Sequence, residues 1–407
     1  MPLPVIIPRP LPPLLLLLAA GLVLAPTRAA AQLTAEQRLD DATCGASLVL
    51  LGELPSHGEL RTFQRKAAMV QRLVERCGVT ALVFEAPIYD FLGFQQAVAA
   101  GTAQPAQLDN AIGRFWMATE LAPWRAWLFE QAAARKLVIG GMDDQVSVTS
   151  EYARATLPRL VGTAIGGARA AECEQAVDRH LFWRYTDSLP FDAAEQRRLA
   201  TCARDAADAW ATQVGRDRGV MELAMLQSFA SYAERQQEGW TGADRDEAMY
   251  RNLRWQLGQL PAGARTVVWT ATVHAARAPG DGPAPPLGYR LEEDYGGHPV
   301  GLRVSREGAP ATLAGRMVSV GFTALAGQSS MAGRPARALP ALPPGSLEAR
   351  ALGSDAEVAV LDAPALAQLG AVPSRLLGAP STRAWNELFD VVVVFRDELA
   401  PTFPPRR

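Results

Sequence analysis

The chain has 407 residues, 49% of them hydrophobic and 20% charged, with a formal net charge of −2. That length can bury a large core in one big domain or two, and the balance is that of a globular protein. Acidic and basic residues are interspersed without a basic stripe, so composition offers no footing for a nucleic-acid partner.

The first segment does not read as part of the fold. Arg9 precedes an apolar stretch from Leu14 to Ala25, followed by Thr27-Arg28-Ala29-Ala30-Ala31-Gln32. A basic residue, a short apolar core and a small-residue site make a secretory signal, with cleavage expected after Ala31. The alternative, an uncleaved anchor, would need ~20 apolar residues. No cysteine follows Ala31 directly, so no lipid anchor is expected there, and no later stretch is long and apolar enough to span a membrane. The mature protein is therefore expected in the periplasm or outside the cell, free of the membrane.

Export places Cys44, Cys77, Cys173 and Cys202 in an oxidising compartment. Four cysteines permit three connectivities. Cys44 lies before the first expected strand and Cys77 at the end of the first long helix, so a Cys44–Cys77 bridge is expected. Cys173 and Cys202 share one helical region and would form the second. Four buried free thiols are the alternative.

Ser47 to Leu51 and Thr80 to Phe84 are short apolar runs that read as strands buried on both faces. Between them Leu60, Phe63, Ala67, Val70, Val74 and Cys77 recur at helical spacing. Strand, helix and strand form a βαβ crossover, so the strands are expected to be parallel. They are read here as neighbours, ~4.8 Å apart. Lys136 to Gly140, Arg265 to Trp269, Val300 to Val304 and Phe389 to Phe395 are the further expected strands. Tyr152 to Leu260 is strand-poor and helical in pattern, while Gly308 to Gly353 has few periodic signals. The fold expected is α/β, a mostly parallel central sheet flanked by helices with a helical insertion. Its parts are a signal (1–31), a first core portion (32–151), the insertion (152–260), a second core portion (261–400) and a disordered tail (401–407).

Ligands of open α/β sheets bind outside the carboxyl ends of the strands. Four strand ends here carry polar residues: Glu53 with His57, Glu85, Asp143 with Asp144, and His274. Singly, each has a bland reading as a hydrogen-bonded structural histidine or a helix cap. Together at one edge they suit general acid–base catalysis: an imidazole titrates near neutrality, and a carboxylate beside it fixes its tautomer and raises its basicity. A zinc site competes, but no H-E-x-x-H spacing is present. Ser56 sits in no G-x-S-x-G elbow, so no serine nucleophile is supported.

Several stretches together resemble the erythromycin esterase family: Gly52-Glu53…His57-Gly58, Leu73-Val74-Glu75, Phe84-Glu85-Ala86, Trp116…Glu120, Gly141-Met142-Asp143, Arg245…Met249…Asn252, Val267-Val268-Trp269…His274, Gly288-Tyr289…Tyr295-Gly296 and Phe389-Asp390. The resemblance runs in family order over most of the chain. It implies a metal-independent hydrolase without a cofactor, whose relatives open macrolide lactones with an activated water. His57 would be the general base, Glu53 and Glu85 would orient it or the water, and His274 would be the second histidine. Lys66, Glu120, Asp143 and Arg245 would contact the substrate. Two departures stand out. Three residues, Leu54-Pro55-Ser56, separate Glu53 from His57 where the family has two, and Ala271 stands where the last motif has a histidine. An ester or lactone other than a macrolide therefore fits better. A non-catalytic haem- or ligand-binding protein of related fold and a metal-dependent peptidase are the competing readings.

Overall fold

A computed structural model describes residues 34–147, 150–213, 219–237, 243–279, 285–295 and 315–404. The expected signal segment and the strand expected at Val300 to Val304 lie outside these residues. The strands are β1 (Leu48–Glu53), β2 (Val79–Pro87), β3 (Val138–Asp143), β4 (Arg265–Ala271), β5 (Met317–Ser329), β6 (Arg337–Ala338), β7 (Val358–Asp362), β8 (Ala371–Ser374), β9 (Ser381–Ala384) and β10 (Val391–Glu398). The central sheet runs β3-β2-β4-β1-β5-β10-β7. Its first six strands are mutually parallel and β7 runs antiparallel beside β10. The protein is thus α/β with a mostly parallel sheet flanked by helices.

Alternation along the strands sorts the core into two layers. Val49, Leu51, Val267, Trp269, Val391 and Val393 pack on one face, while Leu48, Leu50, Val268, Val392 and Val394 pack on the other. Both layers are buried, so each such side chain contributes roughly 1.5–3 kcal/mol. Two expectations change. β1 and β2 are parallel but not adjacent, because β4 lies between them and pairs with both. The weakly patterned region after Gly308 supplies β5, which is central. Its Met317-Val318-Ser319-Val320-Gly321-Phe322 sequence mixes in small and polar residues, and these blur the apolar run.

The Leu60–Cys77 helix has an unusual start. Its N-cap residue, Glu59, makes no side-chain capping bond. The free N–H groups are served instead by the far end of the chain. Leu60 donates to the Leu399 carbonyl at 2.8 Å, and Arg61 and Thr62 donate their N–H groups to the Glu398 carboxylate at 2.9 Å each. The Thr62 hydroxyl adds a 2.5 Å bond to the same carboxylate. Burial raises the Glu398 carboxyl to about 7, and in its ionised form it also complements the helix dipole. At the other end Cys44 and Cys77 form a disulfide, and Cys173 and Cys202 form a second between the Ala170–Leu181 and Ala193–Gln213 helices.

Helices Glu151–Ile165, Ala170–Leu181, Ala193–Gln213 and Val220–Arg235 share a third apolar cluster built on Leu157, Val161, Leu199, Leu226 and Phe229. They adjoin the sheet through the Ala243–Gln259 helix, which packs on the Val220–Arg235 helix and on β3. Arg235 pairs with buried Asp144, Asn252 donates to the Met142 carbonyl at 2.9 Å, and Gln256 donates to that of Gly141. Asn252 and Gln256 thereby satisfy backbone acceptors at the end of β3. Thr402 accepts from Thr119 N–H at 2.7 Å and Phe403 packs on the core, so the tail expected to be disordered from Pro401 is tied down through Pro404. The remaining three residues lie outside the described part. Among the described residues no helix is long and apolar enough to cross a membrane.

Glu398→Ala leaves two helix N–H groups and a hydroxyl without their acceptor. A loss of about 1–3 kcal/mol in unfolding free energy is expected, with Glu398→Gln losing less, as read by urea denaturation.

Candidate active site

The parallel strands put Glu53 at the end of β1, Glu85 near the end of β2 and Asp143 at the end of β3. His274 sits on the single turn Thr272–Ala275 that follows β4. Side chains from four strand ends therefore meet at one edge.

Glu53 is completely buried. An isolated carboxylate there would be very costly, and its two oxygens are accordingly saturated. Oε2 takes the Lys66 ammonium at 2.5 Å. Oε1 takes the Trp116 indole N–H at 2.5 Å and His57 Nδ1 at 2.7 Å. Burial alone would raise the Glu53 carboxyl, but Lys66 and His57 outweigh it and hold it below the usual value. Burial likewise pushes Lys66 down to about 8, against the pull of Glu53. The ammonium also lies over the Trp269 ring, 4.3 Å from its centroid. Because ionised Glu53 can only accept, His57 Nδ1 must carry the proton, and neutral His57 keeps its lone pair on Nε2.

His57 reaches Glu53 through a tight turn. Its N–H donates to the Leu54 carbonyl at 3.0 Å, and its φ of +47° lies in the left-handed region, rare for a residue with a side chain. Gly58 follows, pressed against Ser330: a Cβ on it would lie 2.5 Å from the Ser330 carbonyl oxygen.

The second centre is Glu85. Its Oε2 accepts from the Thr270 hydroxyl and the Ala271 N–H, each at 2.8 Å. Its Oε1 faces Arg245 Nη2 at 3.0 Å, His274 Nε2 at 3.2 Å and His57 Nε2 at 3.9 Å. Burial would raise this carboxyl; His274, Arg245 and His57 hold it well below the ordinary range. Glu85 is thus a fixed anion and a poor proton acceptor. His274 Nδ1 lies 2.7 Å from Asp246. Burial would lower the His274 imidazole, yet Glu85 and Asp246 together raise it to about 10. It is an imidazolium at neutral pH, donating from both nitrogens. Its 3.3 Å approach to Arg245 Nη1 is then a contact between two donors and not a hydrogen bond. Arg245 is anchored by Asp143 through Nη2 at 2.7 Å and Nε at 3.2 Å.

His57 is less extreme. Burial would lower it, while the Glu53 bond and the Glu85 charge raise it above its usual 6.5. His57 and His274 each keep 12% of their side-chain surface exposed, enough for a small molecule to reach. The exposed Phe115 ring stands beside His57 with centroids 5.1 Å apart.

Of the residues singled out in the sequence, Glu53, His57, Glu85, His274, Asp143 and Arg245 are brought together. Lys66, expected at the substrate, lies behind Glu53 with no exposed surface, because a cation is needed there to neutralise the buried carboxylate. Glu120, also expected at the substrate, instead accepts from the Thr402 N–H at 3.1 Å and holds the chain's end. Sequence reading missed Trp116 as a donor to Glu53 and Asp246 as the partner of His274. Trp116 entered only through the family resemblance, and Asp246 carried no reading of its own. Among the described residues no three His, Cys, Asp or Glu side chains are grouped to hold a metal ion.

Comparison with known proteins follows the same lines. The chain matches no curated protein. A solved Bacillus cereus protein shares its fold with a TM-score of 0.66 at 18% identity, over 92% of this chain and 94% of that one. A succinoglycan biosynthesis protein matches at 15% identity with a TM-score of 0.64, over 90% and 92%. A histidine-to-asparagine mutant of the erythromycin esterase EreC, in its open conformation, matches at 15% identity with a TM-score of 0.63, over 90% and 94%. The family model described as erythromycin esterase matches residues 74–397, most of the chain, and the protein belongs to the erythromycin esterase family.

Proposed function

We propose that this protein is an exported hydrolase that cleaves a carboxylic ester or lactone with a water activated by His57. The observation that carries the reading is the asymmetry of the two histidines. One carboxylate fixes His57 by its Nδ1–H and leaves Nε2 open toward the site, whereas two carboxylates hold His274 as a cation. Titratable groups held in such different surroundings take different roles in acid–base chemistry. The 3.9 Å between His57 Nε2 and Glu85 Oε1 is too long for a direct bond and short enough for one water to touch both.

The water gives its proton to His57 Nε2 as its oxygen bonds to the acyl carbon. The carbonyl electrons move onto oxygen, and that oxyanion faces the positive edge formed by Arg245 Nη1 and His274. Collapse breaks the bond to the alkoxide, which takes the proton from His57, leaving the acid and the alcohol. Glu53 keeps the ring oriented while it is charged. Glu85 and Asp143 hold the cations in place. Phe115 offers an apolar wall to the substrate. The family membership supports hydrolysis as the class of reaction; the two departures from the family pattern favour an ester or lactone other than a macrolide, and the one chosen depends on the loops that frame the site.

His57→Ala is expected to lower turnover by on the order of 10²–10⁴ with native circular dichroism; near-full turnover would remove His57 from the chemistry. The pH profile follows from the two histidines. His57 must be neutral, so kcat/KM rises with pH through a limb above 6.5, and His274 must stay charged, so it falls again near about 10. Glu85→Gln removes a charge that raises both imidazoles and should move both limbs to lower pH. Activity is expected to survive a strong chelator. Loss on chelation with recovery on adding zinc would favour the peptidase reading.

A further inference from the structure

We propose that Glu59 is a positioning residue of this site: its buried carboxylate clamps the Ser56–Gly58 turn and thereby aims His57 at Glu53. The inference rests on the reading of His57 as the proton acceptor.

Glu59 has no exposed surface. One of its oxygens takes the Ser56 hydroxyl and the other takes the Gly58 N–H at 3.0 Å, so a single side chain grips the residues on both sides of His57. His57 holds an unfavourable left-handed backbone, which persists only where the surroundings over-determine it. Apart from the His57 ring's own bond to Glu53, the other bonds to this turn are backbone ones: His57 N–H to Leu54, and Ser330 N–H to Gly58 at 2.9 Å. Among the described residues Glu59 is thus the side-chain clamp on the turn.

The bland explanation for a glutamate at a helix N-cap fails here. Glu59 caps nothing, and the helix N–H groups go to Glu398 and Leu399. Nor does filling space explain it. Burial pushes its carboxyl up to about 7, and Glu53 and Glu398 add repulsion. An apolar side chain would fill the volume without that cost. What only Glu59 supplies is two acceptor oxygens at the spacing of Ser56 and Gly58.

The test follows the ring itself as well as turnover. The chain contains only four histidines, so ¹⁵N-histidine labelling resolves their rings by NMR. In the native protein the His57 Nδ1 proton is expected far downfield, bonded to Glu53. In Glu59→Ala that resonance should broaden or vanish, and kcat on an ester substrate should fall by up to about 10²-fold, the cost of a misplaced catalytic group. KM should change by less than about threefold, since the change lies behind the substrate. Glu59→Gln keeps one acceptor oxygen and should recover much of the loss. An unchanged resonance and kcat in Glu59→Ala would overturn the proposal. If Glu59→Ala does not fold, Ser56→Ala decides: a weakened resonance and lower kcat support the clamp, and native values for both overturn it. His57→Ala in the same assay separates the two readings. If it stays active while Glu59→Ala loses the resonance, the clamp stands and the catalytic role of His57 falls.

Discussion

A carboxylate with no access to water, placed at the end of the central strand β1, is the constraint on which the site depends. Burying Glu53 without partners would cost more than a domain's whole margin of stability. Three donors from three separate segments meet the demand: Lys66 from the following helix, Trp116 from a short turn before the Ala122–Ala133 helix, and His57 from the strand's own exit. Each donor fixes its segment. Lys66 sets which face of its helix meets the sheet, Trp116 closes one side of the site, and His57 is held through Nδ1 with Nε2 turned toward Glu85.

Glu85 is the counterpart on the neighbouring side, and the two carboxylates act differently because their partners differ. Glu53 is neutralised from behind by a buried ammonium and raises His57 through their bond. Glu85 is neutralised from the front by Arg245 and His274, both of which remain partly open to solvent. The same chemical group thus fixes an imidazole ring in one place and anchors cations in the other. Ala271 contributes only its N–H to Glu85, so a missing histidine side chain at this position leaves the anchor intact.

Solved structures at 15–18% identity keep this fold over nine-tenths of the chain. Such persistence is expected of a parallel sheet covered on both faces, since its strands ask only for apolar residues of suitable shape. It says little about substrate, because a fold hosts many functions and the site decides among them.

Much of this was legible in the residues alone. Short apolar runs ending in Glu53, Glu85, Asp143 and near His274 locate the strands and the active edge, because buried parallel strands and their polar exits are local patterns. Cys44 with Cys77 and Cys173 with Cys202 lie close in sequence, and their pairing needs only the nearest helices. Strand order is not local. Nothing between Leu48 and Pro87 announces that β4, some two hundred residues on, slots between β1 and β2. Nor does the Leu60–Cys77 helix announce that its cap comes from Glu398, 336 residues from Thr62. Polar partners are the hardest to read. Trp116, Asp246 and Glu59 each look like an ordinary core or helix residue, and Lys66 and Glu120 look free to meet a substrate. Only the packed structure decides which polar groups lose their water, and it is that loss which obliges them to pair.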